Sequence, residues 1–265
     1  MRSIAASILI TGLLAGCSSH MQSPIDDAAV GGPQGPQTGS IFVFSGGSEV
    51  PPISATATLV LPDDPFTCES DITVDACRIR VDCNAIDVTP VGGGQITFGT
   101  TPPVTIVSTA PAPGFAESDD VGDISAGQPV TFLIAGTGAV PAMSASVPAP
   151  SQATVTSSFD GTPIPTTSDF VLTWTGATTG TLELGVVAGI DGDFGLVDCS
   201  FPAAPGSGTI SKAALQMFPS GGLARFELSN AVTQQAGAWT IELGVGYDAL
   251  WPDGSYAQAV LNLTN

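Results

Sequence analysis

The chain has 265 residues, of which 24 are acidic and 5 are basic, giving a formal net charge of −19. This balance argues against nucleic-acid binding, which needs clustered Lys and Arg, and against electrostatic attachment to anionic lipid. Because 43% of the residues are hydrophobic and only 11% are charged, a folded core is expected. The acidity is typical of a solvated surface, with cation binding or a basic partner as alternatives.

The first residues have the pattern of a secretory leader. Arg2 supplies a positive charge, and residues 4–14 form an apolar segment that is too short to span a bilayer, which takes about 20 residues. The sequence Leu-Ala-Gly-Cys at 14–17 resembles the lipoprotein signal-peptidase site, where the cysteine is lipidated and becomes the first residue. We therefore predict a signal peptide over 1–16 and lipidation of Cys17, with an ordinary leader and a chance cysteine as the alternative.

The segment that follows Cys17 indicates a tether and a location. Residues 17–39 are rich in Ser, Gln, Pro and Gly and predict a flexible linker that spans roughly 25 Å. Ser18, where inner-membrane lipoproteins carry Asp, favours the outer membrane by resemblance to the usual sorting pattern. We predict an outer-membrane lipoprotein that faces the periplasm or the cell surface. The single histidine, His20, lies in this tether and is interpreted as a linker residue.

Residues 40–265 show the period-two alternation of short β-strands, separated by turns rich in Gly, Pro and Asp. In chain order, strands are predicted at 41–44, 55–61, 77–83, 95–98, 104–108, 129–135, 143–147, 170–174, 182–186, 197–201, 225–228, 239–245 and 257–263. One capped helical turn is predicted at 211–217. This pattern predicts an all-β, antiparallel, immunoglobulin-like β-sandwich. The Pro-Ala-Pro break at 148–150 predicts two sandwich-like halves, 40–150 and 151–265.

Four cysteines remain once Cys17 is assigned to lipid, which in an exported protein predicts two disulfides. Cys77 and Cys83 end one alternating strand about 20 Å apart, beyond the roughly 7 Å that a disulfide bridges. We favour Cys68–Cys77 as a hairpin link and Cys83–Cys199 as a long-range link. A zinc site of four thiolates is the alternative, but the sequence lacks a Cys-x-x-Cys pair.

Several blocks of sequence resemble a known group of proteins. They are AGTGAVPAMSASVPAP at 135–150, LTWTG at 172–176, VDCSF at 197–201, GSGTI at 206–210 and AAL at 213–215. With the lipobox and the Cys-rich region, they resemble a family of uncharacterised bacterial lipoproteins with all-β bodies. The resemblance covers most of the mature chain and implies the fold and the localisation. No activity comes with that family.

The usual catalytic motifs are missing from the sequence. A Ser-His-acid triad has no suitable His, and there is no Gly-x-Ser-x-Gly motif. The three glycines at 92–94 are not followed by Gly-Lys-Ser/Thr, so they indicate a turn and no phosphate loop. Lys212 is the only lysine and begins the predicted helical turn, where exposure is expected. Paired carboxylates are abundant, so a glycan hydrolase is kept as an alternative.

The tryptophans divide into two groups by their position. Trp174 and Trp239 lie on apolar strand faces, which predicts core positions, whereas Trp251 and Tyr256 flank a turn. Residues 247–251 are the best candidate for a surface contact patch, although packing of this loop is the favoured interpretation because aromatic side chains are commonly buried.

Calcium is the best candidate cofactor, because it takes six to eight oxygen ligands and tolerates irregular loops. Two acidic clusters qualify, and solvated loops are the alternative for both. The first comprises Glu117, Asp119, Asp120 and Asp123, and the second comprises Asp191, Asp193 and Asp198. The second cluster does not follow the EF-hand pattern.

Together these observations predict a lipid-anchored protein of the cell envelope that is not an enzyme. Its expected role is that of a structural, adhesion or binding module, with no cofactor other than calcium. Its expected partners are the membrane, through the lipid on Cys17, and an unidentified protein or glycan, but no nucleic acid. A calcium-dependent adhesion module and a carboxylate-based glycan hydrolase are the alternatives.

Overall fold

A computed structural model describes residues 37–45, 53–58, 60–61, 66–85, 89–100, 103–108, 124–159, 161–188, 194–218 and 221–264. The first ten strands are β1 (Gln37–Ser45), β2 (Ile53–Thr58), β3 (Val60–Leu61), β4 (Phe66–Val74), β5 (Cys77–Ala85), β6 (Thr89–Pro90), β7 (Gly94–Phe98), β8 (Val104–Ser108), β9 (Pro129–Ile134) and β10 (Met143–Pro148). The next six are β11 (Thr154–Val155), β12 (Ile164–Pro165), β13 (Phe170–Thr175), β14 (Thr181–Ala188), β15 (Phe194–Pro202) and β16 (Ser207–Ile210). Helix α1 (Lys212–Leu215) precedes β17 (Leu223–Ala236), β18 (Trp239–Asp248), β19 (Gln258–Val260) and β20 (Leu263–Thr264).

A curled nine-stranded sheet organises these elements. Its strand order is β2-β1-β18-β17-β14-β15-β5-β4, with β19 beside the start of β17. All neighbours are antiparallel except β1 and β18, which are parallel. The first half of the long strand β17 pairs with β14 and its second half pairs with β18, so β17 joins the two ends of the sheet.

Two smaller layers cover one face of this sheet, and each encloses a hydrophobic core. The first core lies between the sheet β10-β9-β7-β8 and strands β1 and β18; its members include Ile41, Phe98, Phe132 and Leu243. The second lies between the sheet β11-β13-β16, helix α1 and strands β14, β15 and β17; its members include Leu172, Leu184, Leu215 and Phe226. This layering confirms the predicted all-β, sandwich-like fold.

The two cores follow the predicted boundary at 148–150 only in part. The first core takes β18 residues from the C-terminal part of the chain, and the second takes Cys77 and Ile79 from the N-terminal part. Leu228 and Tyr247 are cross-strand partners on one face, yet they belong to different cores. The division into two halves stays a prediction. Strand β1 begins at Gln37, inside the segment predicted as a tether, because its backbone pairs with β18 without needing apolar side chains.

The local predictions for tryptophan and for the helical turn are confirmed. Trp174 and Trp239 are each 2% exposed. Their indole N–H groups donate to the carbonyls of Ala203 and Ala139, each at 2.8 Å. These bonds satisfy the only polar group that each buried side chain carries. At α1, the Ser211 hydroxyl accepts from the backbone N–H of Ala214 at 3.3 Å, as an N-cap does. Among the described residues, no helix is long and apolar enough to cross a membrane.

The favoured disulfide pairing was wrong, although the presence of two disulfides is confirmed. The bonds are Cys68–Cys83 and Cys77–Cys199. Strands β4 and β5 form a hairpin in which Val74 lies opposite Cys77, so that Cys68 lies opposite Cys83 and far from Cys77. Cys77 at the turn end of β5 then lies opposite Cys199 on β15. The alternating pattern did not reveal that residues 66–74 are the strand preceding β5, and this register decides both bonds.

We predict that tryptic digestion without reduction distinguishes the two pairings. Cleavage after Arg78 and Arg80 places Cys68 and Cys77 on one fragment, while Cys83 and Cys199 share the fragment that ends at Lys212. The bonds Cys68–Cys83 and Cys77–Cys199 hold these fragments together until a reductant is added. The originally favoured pairing would release them as separate peptides, which mass spectrometry detects directly. Cutting the linked species both between Cys68 and Cys77 and between Cys83 and Cys199 leaves two cross-linked peptide pairs, whose masses separate the structure's pairing from Cys68–Cys199 with Cys77–Cys83.

Candidate functional site

The face of the nine-stranded sheet opposite the cores carries a charged array. On β14, β15 and β17 the residues that alternate with core residues point to this face, as Glu227 does between Phe226 and Leu228. The register sets Glu183 opposite Glu227 and Glu227 opposite Asp248. The array consists of Arg78, Arg80, Glu183, Asp198, Arg225, Glu227 and Asp248. Acidic and basic side chains from distant parts of the chain thus lie on one surface.

Arg225 forms the centre of this array. Its Nε and Nη2 atoms donate to Asp248 Oδ1 at 2.8 and 2.5 Å, and its Nε lies 3.0 Å from Glu227 Oε1. The Asp248 side chain is only 5% exposed, whereas that of Arg225 is 50% exposed. Charge-assisted hydrogen bonds of this kind offset the cost of burying a carboxylate. We call Glu183, Arg225, Glu227 and Asp248 the Arg225 cluster.

The Arg225 cluster contains two carboxyl groups that resist ionisation. Burial raises the pKa of Glu227 to about 7, and the carboxylates of Asp248 and Glu183 act in the same direction, while Arg225 opposes them. Burial also raises the pKa of Glu183, reinforced by Glu242 and Asp198 and opposed by a hydrogen bond to Ser229. Near neutral pH, Glu227 therefore exchanges between its protonated and ionised forms.

At the far end of the array, ion pairs connect the outer strands. Arg78 donates to both carboxylate oxygens of Asp71, at 2.9 and 2.5 Å, and this guanidinium holds the pKa of Asp71 below its usual range. Arg80 Nη2 lies 2.9 Å from Asp198 Oδ2, which connects β5 to β15. Asp198, predicted as a calcium ligand, thus pairs with an arginine.

The other predicted calcium ligands lie outside the described residues. They are Glu117, Asp119, Asp120, Asp123, Asp191 and Asp193. Within the described ranges, no group of three or more His, Cys, Asp or Glu side chains is arranged to hold a metal ion. Calcium binding by the loops at 117–123 and 191–193 stays a prediction.

A second feature is a groove of about 960 Å³ between β19 and the segment at 155–159, which we call the Trp251 groove. Its polar lining comprises Thr156, Ser157, Ser158, Asp253, Ser255 and Gln258. Its apolar lining comprises Val155, Phe159, Leu223, Trp251, Pro252, Tyr256, Ala259 and Val260. The groove is open to solvent, and its lining combines aromatic with polar groups, as ligand-binding sites do.

Trp251 is the outermost ring of an aromatic series that runs from the core to the groove. The ring centroids of Trp251 and Phe226 are 5.9 Å apart, those of Phe226 and Phe159 are 5.1 Å apart, and those of Phe159 and Phe170 are 5.0 Å apart. All three contacts are edge-to-face. The indole N–H of Trp251 donates to the carbonyl of Gln258 at 3.4 Å. The ring is therefore supported from behind and fixed in orientation.

The turn that carries Trp251 is held by its own hydrogen bonds. The backbone N–H of Trp251 donates to the Ser255 carbonyl at 2.7 Å. Asp253 Oδ1 accepts from the N–H and hydroxyl of Ser255 at 2.9 and 2.6 Å, and these bonds lower the pKa of Asp253. The Asp-Gly sequence at 253–254 is the signal that predicted this turn, and the side chain of Asp253 stabilises it.

Sequence reasoning located this region only in part. At 247–251 packing of the loop, the favoured interpretation, is confirmed for Tyr247, Asp248 and Ala249, which are buried and form no contact patch. The alternation of Arg225 and Glu227 with apolar neighbours was visible in the sequence, but nothing there indicated Asp248 as their partner. No family model, curated protein or solved structure matches this chain.

Proposed function

We propose that this protein is a lipid-anchored, non-catalytic binding module of the cell envelope, held in the outer membrane by acyl chains on Cys17. The observation that carries this proposal is the Leu-Ala-Gly-Cys sequence at 14–17, preceded by a short apolar segment. Two or more acyl chains anchor a protein stably, at about 0.8 kcal/mol for each buried methylene group. The strongly acidic chain makes lipid, and not surface charge, the expected means of attachment.

The disulfides support an oxidising location outside the cytoplasm. Cys77 and Cys199 are 1% and 0% exposed, and Cys83 is 4% exposed. All four cysteines of the described body are used in two bonds. Disulfides of this structural kind persist in exported proteins and are rare in reducing compartments.

The position of Asp248 in the Arg225 cluster argues against its use as a catalytic carboxylate. A glycosidase needs two carboxyl groups that both reach the scissile bond. Here Asp248 is buried against Arg225, and the same guanidinium contacts Glu227. Burial against an arginine makes Asp248 unavailable to a substrate. The cluster instead joins β17 to the end of β18, which supports a role in holding the curled sheet together.

The anchor is tested by replacing Cys17 with serine. We expect the wild-type protein to incorporate labelled palmitate and to sediment with membranes, and the Cys17→Ser variant to lose both properties, because serine lacks the thiol that accepts the lipid. Ser18→Ala is the matched control and keeps both. By the sorting pattern that the leader resembles, Ser18→Asp shifts the protein from the outer to the inner membrane fraction. Palmitate labelling of Cys17→Ser at the wild-type level would refute the proposal.

A further inference from the structure

We propose that the Trp251 groove binds a neutral oligosaccharide. This inference deepens the proposed function, on which it rests, by naming the class of ligand that the binding module recognises. It is carried by three observations: a supported aromatic ring, a surrounding set of small polar side chains, and the absence of cationic side chains among the described residues that line the groove.

The first observation is the support of Trp251. A pyranose ring presents a flat face of C–H groups, which stacks on the face of an indole ring. The edge-to-face contact with Phe226 and the indole hydrogen bond to Gln258 hold Trp251 in place before any ligand arrives. A ring that is already ordered loses little conformational entropy when it is covered. Tyr256, across the same turn, adds a second partly exposed aromatic side chain.

The second observation is the polar lining. Sugar hydroxyls both donate and accept hydrogen bonds, so a sugar site needs groups that do the same. Hydroxyl groups come from Thr156, Ser157 and Ser158 on one side, and the Gln258 amide comes from β19 on the other. Each hydroxyl already makes one hydrogen bond, to Thr173 or Thr162, and a hydroxyl can make further bonds because it carries one donor and two acceptor sites. The Gln258 side chain is exposed, so its amide is accessible to a ligand. A few such groups around an apolar floor provide orientation and specificity.

The third observation is the charge of the groove. Among the described residues that line the groove, none is Lys, Arg or His, and Asp253 is the one carboxylic acid. Arg225 lies beyond this lining as the cross-strand partner of Gln258, but its guanidinium is already paired with Asp248 and Glu227. An anionic ligand such as a phosphorylated or sulfated sugar would meet Asp253 inside a chain of net charge −19. The composition therefore selects an uncharged ligand.

An extended peptide fits this groove less well than a sugar. Peptides that add to a sheet edge use backbone N–H and C=O groups on that edge. At Gln258 these groups are already used, because the carbonyl accepts from Trp251 and the N–H donates to the Tyr256 carbonyl at 2.9 Å. At Gln258 the accessible group is therefore the side-chain amide, which suits a ligand recognised by its hydroxyl groups.

The test uses the full chain, oxidised and in detergent, with four neutral probes: hexa-N-acetylchitohexaose, cellohexaose, maltohexaose and laminarihexaose. Because Trp174 and Trp239 are each 2% exposed, acrylamide quenching of fluorescence reports on Trp251. We expect at least one hexasaccharide to protect Trp251 from acrylamide and to bind in calorimetry. Binding by Trp251→Ala should be about tenfold weaker or more, equivalent to about 1.4 kcal/mol, while Trp251→Phe retains most of the affinity.

Two further variants separate a binding role from a structural one. Gln258→Ala changes an exposed side chain and should weaken binding without lowering the melting temperature. Leu133→Ala is the matched control, because Leu133 is 51% exposed on the four-stranded sheet and does not line the groove. The proposal is overturned if none of the four sugars binds, or if Trp251→Ala and Gln258→Ala both bind as the wild type does.

The outcomes for the groove and for the proposed function are distinct. Chromatography of the sugar after incubation should return the intact hexasaccharide. If shortened products appear and Trp251→Ala binds the sugar more weakly, the groove is still the sugar-binding site, but the proposed non-catalytic role is refuted. Absence of sugar binding in a protein that is labelled with palmitate would refute the glycan ligand and leave the anchor intact.

Discussion

Replacing Cys77 and Cys199 together by alanine is expected to lower the free energy of unfolding by about 4–5 kcal/mol on the chain-entropy model. The bond joins residues separated by 122 positions, so its loss gives the unfolded chain a large gain in conformational freedom. Cys68 and Cys83 are separated by only 15 positions, and their double replacement should cost about 3 kcal/mol. The long-range bond is therefore expected to be the more important one.

The position of the Cys77–Cys199 bond adds a structural reason. Both cysteines are buried in the second core, where β5 pairs with β15. The bond thus attaches the β4–β5 hairpin to the rest of the nine-stranded sheet. Urea unfolding of both double variants in a Cys17→Ala background, where lipid is absent, measures the two free energies. Equal losses in the two variants, or a larger loss for Cys68 and Cys83, would contradict this expectation.

Replacing Glu227 by glutamine is expected to raise the free energy of unfolding at pH 8 and to change it little at pH 5. Burial raises the pKa of Glu227 from 4.5 to about 7, so between these values the folded state binds more protons than the unfolded state. Stability contributed by this group is present at low pH and is lost as pH rises through about 7. Glutamine resembles the protonated side chain and still accepts a hydrogen bond from Arg225, so this loss is avoided.

The size of the effect follows from the pKa shift. One pKa unit corresponds to about 1.4 kcal/mol, which sets an upper limit of about 3 kcal/mol for Glu227. The side chain is 28% exposed, so solvent screening reduces the expected gain at pH 8 to about 1–2 kcal/mol. Urea midpoints between pH 5 and 8 provide the measurement, and Glu69→Gln on the exposed side of β4 is the control. Because the pKa of Glu183 is also raised, the free energy of unfolding of the Glu227→Gln variant still falls to some extent as pH rises. A variant that is less stable than the wild type at pH 8 would show that ionised Glu227 stabilises the fold.

The strands and their inward faces were predictable because they depend on local alternation. Trp174 and Trp239 were predicted to lie on apolar strand faces in the core, and both are buried. The Ser211 cap and the turn at 253–254 were also predictable, because a side chain there bonds to the backbone within a few residues. The two disulfides were predictable from composition alone, because four cysteines remain once Cys17 is assigned to lipid. None of these inferences needed to know which strands are neighbours.

By itself, the sequence determined the all-β class, the faces of most strands and the chemistry available at each turn. Only the tertiary structure decided that Cys77 meets Cys199, that Asp248 joins Arg225 and Glu227, and that Trp251 lines a groove with the 155–159 segment. Period-two alternation states which side of a strand is apolar, but many strand orders bury the same side chains. The order and register that the chain adopts follow from the packing of two whole cores, and this packing brings residues more than a hundred positions apart into one bond.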